Sequence, residues 1–210
     1  MYLPIHLHNE ELQLHHSGAV FWKTRNMLLI ADLHFGKITH FRKYGSAVPQ
    51  NAIQRNFDQL NQVTALFKPK TICFLGDLFH SYLNQEWELF KSWTTTIKSE
   101  ILLVSGNHDI ISPLLYEEIG IKIQDKLFMK PFFCTHHPEK KAGFINICGH
   151  IHPAVRLTGM GRQSIKLACF FTNEEQFILP AFGAFTGTHV MKPSISDAVY
   201  AIAEEKVMLV

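Results

Sequence analysis

No apolar run in the chain approaches the roughly 18 residues that a membrane-crossing helix requires, so a helical membrane protein is excluded. Cysteine is scarce, and Cys73, Cys134, Cys148 and Cys169 form no C-x-x-C pair. Each sits inside a short apolar run, which argues for buried thiols rather than a zinc ribbon or a disulfide framework. The opening segment MYLPIHLHNEELQLHH lacks a basic stretch followed by an apolar one, so a secretory signal is not expected. These absences point to the cytoplasm. Charge of either sign is also limited: 20 Lys and Arg face 18 Asp and Glu, a net +2. That balance neither announces nor excludes a nucleic-acid partner. Three Trp and five Tyr stand beside 17 Phe, a bias toward a dense core over an aromatic binding face. Internal repeats, linkers and low-complexity tracts are missing as well, so one domain over residues 1–210 is expected.

What is present is a chain of 210 residues, 47% apolar, carrying 13 histidines. Three short apolar runs end in polar residues: MLLIA before Asp32-Leu33-His34, TICFL before Gly76-Asp77, and ILLV before Ser105-Gly106-Asn107-His108-Asp109. Runs of this length and composition read as buried strands. Between them, Pro49-Gln50-Asn51 signals a helix start, and Ile53, Phe57, Leu60, Val63 and Phe67 follow at helical spacing. Trp87, Phe90, Trp93 and Ile97 mark a second helix over 85–99. Alternating strands and helices predict parallel pairing with right-handed crossovers. The second half reads instead as short strands at 131–135, 144–149, 164–172, 176–179 and 206–210, with little helix. A hairpin is expected from 12–14 and 19–22 around Ser17-Gly18. A mostly parallel half followed by a mostly antiparallel one predicts an α/β fold, a four-layer αββα sandwich of two mixed sheets flanked by helices.

Asp32, His34, Asp77, Asn107, His108, His136, His150 and His152 fall just past the ends of predicted strands. In open α/β sheets that edge is where ligands bind. Carboxylates, imidazoles and one amide oxygen suit Mn²⁺, Fe or Zn²⁺, and the lack of thiolates disfavours a structural zinc. Two metals about 3.5–4 Å apart that share a carboxylate form a clamp for in-line attack on phosphorus.

The series Asp32-x-His34, Gly76-Asp77, Gly106-Asn107-His108-Asp109, His136 and Gly149-His150-x-His152 resembles the calcineurin-like metallophosphoesterase superfamily. The resemblance implies that Asp32, His34 and His152 hold one divalent metal and that Asn107, His136 and His150 hold a second. Asp77 would bridge them. It further implies that His108 protonates the leaving oxygen, with Asp109 orienting it. Where the family's second block commonly ends in Asp, this chain has His80, expected to support a ligating carboxylate or to contact substrate. His136 and His137 are adjacent, and the residues alone leave either as ligand; His136, first after the strand, is favoured.

Narrower stretches, DLHFGK at 32–37, FRKYG at 41–45, GDLFHS at 76–81 and LPAFGAFTG at 179–187, resemble ligase-associated DNA damage response endonucleases. That likeness implies Mn²⁺-dependent cleavage of DNA phosphodiesters, associated with a DNA ligase and a helicase. Lys37, Arg42 and Lys43 read either as a solvated run or as a grip on a flanking phosphate, with Arg42 suited to a bidentate contact. Lys37, Arg42 and His80 are thus the candidate substrate contacts. His6, His8, His15 and His16 read as solvated surface, and His40 and His189 lie outside the set. Two rivals remain. The same chemistry can act on a nucleotide or cyclic nucleotide, or the fold can serve as a non-catalytic metal-binding scaffold, for which His108 would be superfluous.

Overall fold

A computed structural model describes residues 1–39, 51–80, 82–184 and 186–210. The helix-start signal at Pro49-Gln50, and Arg42 and Lys43, lie outside the described residues. The first sheet runs β1 (Tyr2–Leu7), β2 (Glu10–His15), β3 (Val20–Trp22), β4 (Met27–Ile30), β5 (Thr71–Leu75), β6 (Glu100–Val104) and β7 (Ile121–Gln124), in spatial order equal to chain order. Its β1 to β4 pairings are antiparallel and its β4 to β7 pairings parallel. The crossovers contain α1 (Asn51–Phe67), α2 (Gln85–Thr94) and α3 (Pro113–Glu118).

The second sheet contains β8 (Leu127–Met129), β9 (Phe132–Cys134), β10 (Ile145–Cys148), β11 (Pro153–Thr158), β12 (Ser164–Thr172), β13 (Gln176–Ile178), β14 (His189–Val190), β15 (Ala198–Ala203) and β16 (Lys206–Leu209). Its order is β14-β11-β12-β13-β10-β9-β8, with β15 paired to β12 and β16 to β15. Here β9, β10 and β13 are parallel neighbours, and most other pairs are antiparallel. Both sheets are therefore mixed, as expected for this α/β fold. The first half is less parallel than its apolar runs suggest, because the N-terminal hairpin extends the same sheet.

Alternation along the strands sorts side chains between two cores. Leu28, Ile30, Ile72, Phe74, Ile101 and Leu103 face the helices, against Phe57, Leu60 and Val63 of α1 and Trp87, Phe90 and Trp93 of α2. Met27, Leu29, Ala31, Cys73, Leu75 and Val104 face the other way, against Phe132, Cys134, Ile145, Ile147, Phe170 and Phe177 of the second sheet. A strand buried on both faces has no polar side to show, which is why these runs are continuously apolar. All four cysteines are buried and unpaired. No helix among the described residues is long and apolar enough to cross a membrane.

Two expectations change. The second helix ends at Thr94 rather than at 99, because the hydroxyls of Thr94, Thr95 and Thr96 bond the carbonyls of Lys91, Ser92 and Trp93 at 2.8, 2.7 and 2.7 Å. Three successive Thr hydroxyls occupy the carbonyls that a continuing helix would use. Ile97 still packs on the helix-side core. Secondly, His15 is not solvated surface. It is buried in the N-terminal hairpin, where its Nδ1 accepts from the Ser17 N–H at 3.2 Å and lies 2.9 Å from Ser17 Oγ.

Burial, with His16 and the N-terminal ammonium nearby, pushes His15 down to about 4. An unfolded histidine takes up its proton near pH 6.5, so the unfolded state binds more protons between those values. Stability should therefore fall as pH drops from about 6.5 toward 4. In urea titrations the midpoint of His15→Gln should fall less between pH 7.5 and 5 than that of the unaltered chain. Equal falls would assign the sensitivity elsewhere.

Candidate metal centre

Five strand ends meet at one edge of the sandwich. The parallel neighbours β4, β5 and β6 lead into Asp32, Asp77 and Asn107, while β9 and β10 lead into His136 and His150. Asp32, His34, Asp77, His150 and His152 then adopt positive φ, between 50° and 63°. This left-handed region costs an L-residue about 1–3 kcal/mol, and Asp and His enter it more readily than most. The reversal turns each side chain inward instead of continuing the pleat.

Two donor sets result. In the first, His152 Nε2 lies 3.2 Å from Asp32 Oδ1 and 3.4 Å from His34 Nε2, which is 3.8 Å from Asp77 Oδ2. In the second, His136 Nε2 lies 3.0 Å from Asn107 Oδ1, 3.2 Å from His150 Nδ1 and 3.4 Å from Asp77 Oδ1. Asp77 thus turns one oxygen toward each set.

The chemistry of these donors calls for cations. His136 Nδ1 faces the Leu75 carbonyl at 2.9 Å and His152 Nδ1 faces the Gly187 carbonyl at 3.0 Å, which places the ring proton there and leaves Nε2 as a lone pair. In both sets lone pairs then face lone pairs. A single proton relieves one such contact, whereas a divalent ion satisfies all of them together. Asp32 Oδ1 is buried without a hydrogen-bond donor among the described residues, while its Oδ2 accepts from the His150 N–H at 2.9 Å. The imidazoles of the sets are held differently. Burial, then Lys37 and His152, pushes His34 down to about 2, and burial with His137 and His136 lowers His150. Both stay neutral, as ligands must be. Burial also acts to lower His152, but the Asp32 carboxylate and the Gly187 carbonyl outweigh it and raise the group.

Around these sets lies a supporting layer. Gly149 has no room for a side chain: a Cβ there would lie 2.3 Å from Asp32 Oδ2 and 2.7 Å from Ala31 Cβ. The stretch 182–184 closes over the first block, with Phe182 N–H donating to Ala31 O at 2.9 Å and Gly183 N–H to Asp32 O at 3.1 Å. A Cβ on Gly183 would meet Leu33 O at 2.1 Å. Glu86, wholly buried in the first turn of α2, accepts from the Thr39 hydroxyl at 2.7 Å and so ties that helix to the segment carrying Lys37. Asn146, also wholly buried, donates to Thr135 Oγ1 at 2.8 Å and accepts from Glu139 N–H at 2.8 Å.

All seven sequence-predicted ligands converge here. His136 is buried at the centre of the second set, and His137 is exposed beside it. His108 is half-buried; its N–H donates to Asp77 Oδ1 at 2.9 Å, and its ring lies 5.7 Å from that of His34. Asp109 does not orient His108 as expected. Its oxygens accept from Gly106 N–H at 2.9 Å and Phe79 N–H at 3.1 Å, so it fixes the loop that presents Asn107 and His108. Burial pushes its carboxyl up to about 6 against those two donors. The His80 ring sits 4.6 Å from His108 and 5.4 Å from His34, at the mouth of the site. Lys37 is half-buried within electrostatic reach of Asp77 and Asp32, and burial lowers its ammonium. Arg42 lies outside the described residues. His189 joins β14, and its N–H donates to His152 O at 2.9 Å. Sequence reasoning missed Glu86, since an acidic residue in a first helical turn reads as ordinary pairing with the helix dipole.

Comparison with known proteins bears on the family and the fold. A solved structure, that of the Pseudomonas putida nuclease MPE, matches over 100% of both chains with 25% identity and a TM-score of 0.83. Yfce, a phosphoesterase from E. coli, matches over 86% of this chain and 95% of its own with 15% identity and a TM-score of 0.44. No curated protein sequence matched the chain. The model of the calcineurin-like phosphoesterase family matches residues 26–157, a span that holds all seven converging donor residues and more than half of the sequence. The chain belongs to that family, whose members use a binuclear divalent metal centre.

Proposed function

We propose that the chain, as one domain over residues 1–210, is a metal-dependent phosphodiesterase that cuts DNA, with a role in DNA repair. The observation that carries the hydrolytic reading is Asp77, whose two oxygens face two separate donor sets 3.4 and 3.8 Å away. DNA as the substrate is supported by full-length likeness to a nuclease and by the openness of the site at Asn107 and His108. Asp32, His34 and His152 hold one divalent ion, and Asn107, His136 and His150 hold the other. Mn²⁺ suits this mixed oxygen and nitrogen set, with Fe and Zn²⁺ as alternatives. Bound there, the two ions supply Lewis-acid polarisation and an activated water at neutral pH.

The chain's own residues do the rest. Asp77 fixes the spacing of the two sets and, by accepting from the His108 N–H, fixes where that imidazole begins. His108, at the mouth, gives one proton of its imidazolium form to the departing oxygen and is left as the neutral imidazole. Asp109 holds the loop, and Lys37 and Arg42 steady the phosphate. Buried free thiols fit a reducing cytoplasm. Association with a DNA ligase and a helicase fits the subfamily resemblance.

With Mn²⁺, the purified protein should nick plasmid DNA or cut a labelled single strand. His108→Ala should retain its metal and lose about 10²–10⁴-fold in turnover. Full activity in that variant would remove His108 from the mechanism. Intact DNA alongside hydrolysis of a mononucleotide or cyclic nucleotide would keep the chemistry and discard the repair role. Gly149→Ala pushes against Asp32 Oδ2 and should weaken Mn²⁺ binding by about 10–100-fold in a calorimetric titration. Unchanged affinity would show that Asp32 is not a ligand.

A further inference from the structure

The second donor set has a neighbour that the seven-ligand assignment leaves unused. His137 follows His136 directly, yet its ring turns back over the site, 4.0 Å from the His150 ring and 4.8 Å from that of His136. One ring nitrogen from each of His136, His137 and His150 lies within 4.8 Å of the others. Nitrogens held about 2.1 Å from a common ion are at most about 4.2 Å apart, so a small rotation of the exposed His137 ring brings all three into range. The backbone there is fixed: Asn146 donates to Thr135 Oγ1, and the Thr135 hydroxyl donates in turn to the His137 carbonyl at 2.6 Å. A wholly buried amide thereby holds the turn that carries two consecutive imidazoles.

We propose that His137 is an additional ligand of the second metal, completing a three-imidazole set with His136 and His150. This rests on the reading of the two donor sets as metal sites. It makes the sites chemically unequal. The first combines the Asp32 carboxylate and a share of Asp77 with two imidazoles. The second combines three imidazoles with an amide and a share of Asp77, a more nitrogen-rich and less negative set. Ions that favour imidazole, Zn²⁺ or Co²⁺ over Mn²⁺, should therefore discriminate between the sites.

The test is a calorimetric titration of the metal-free full chain with Co²⁺ and with Mn²⁺, paired with visible absorption of the Co²⁺ form. The unaltered chain should show two binding events. His137→Ala should lose about tenfold or more at one of them, leave the other within twofold, and change the Co²⁺ spectrum. Because the ring is exposed, thermal unfolding in EDTA should be unchanged. His137→Phe keeps a ring against His150 but supplies no nitrogen, and it should behave like His137→Ala. Restored affinity in His137→Phe would reduce His137 to a packing support, and two unchanged affinities in His137→Ala would also overturn the proposal. Absence of any binding by the unaltered chain would instead refute the metal reading on which it rests.

Discussion

Asp32, His34, Asp77, His150 and His152 share a backbone conformation that few non-glycine residues adopt, and the candidate centre depends on it. A strand that simply continued would send alternate side chains to opposite faces. Reversal of φ directly after a parallel strand lets carboxylate and imidazole groups from separate strands point into one crevice. Asp and His serve here twice, as tolerable occupants of the left-handed region and as metal donors. The strain persists because the backbone is held on both sides: His34 N–H donates to Asp77 O at 2.9 Å, and His80 N–H to Phe35 O at 2.8 Å. Strain stored this way belongs to preorganisation, in which ligand geometry is set before the ion arrives.

The division of labour between the sheets follows from this. The first sheet supplies every oxygen donor, Asp32, Asp77 and Asn107, along with His34. The second supplies His136 and His150, with His152 just before β11. The second donor set therefore spans the interface between sheets, and its spacing is set by the inter-sheet core. Leu29, Cys73, Leu75 and Val104 pack there against Phe132, Cys134, Ile147 and Phe177, and all of these but Phe177 stand a few residues from a donor. A close-packed interior yields little, so small volume changes in this layer would be transmitted to the crevice. Packing and ligand geometry are one problem in this molecule.

Much of this was legible in the sequence, for reasons that can be traced. The strands before Asp32, Asp77 and Asn107 are buried on both faces and so read as continuous apolar runs. The stripe from Ile53 to Phe67 has no competing interpretation and lies in the helix-side core as expected. The seven converging donors were recoverable because each follows a strand end by two to four residues. The less legible parts depend on tertiary context. Strand β15 is a short AVYAIA stretch between polar clusters, and β11 begins at a proline, so neither carries a strong local signal. His15 looks like its solvated neighbours His6 and His8 until the hairpin folds over it. Glu86 and Asn146 are polar residues whose importance comes from complete burial, which spacing does not reveal. Asp109 stands next to His108 in sequence, but its carboxylate turns to backbone N–H groups, an orientation that adjacency cannot predict.

The stretch formed by residues 182–184 together with Gly187 bears on where the functional unit ends. It contributes none of the seven donors and lies beyond the span that matches the family. Yet it receives the Nδ1 proton of His152, donates to the carbonyls of Ala31 and Asp32, and fits over Leu33 only because Gly183 has no side chain. A fragment cut at 157 would keep every one of those donors and leave these groups to water. The boundary drawn by the family match is therefore narrower than the boundary drawn by hydrogen bonding. Grafting residues 26–157 into another scaffold would transfer the donors without the clamp that orients them.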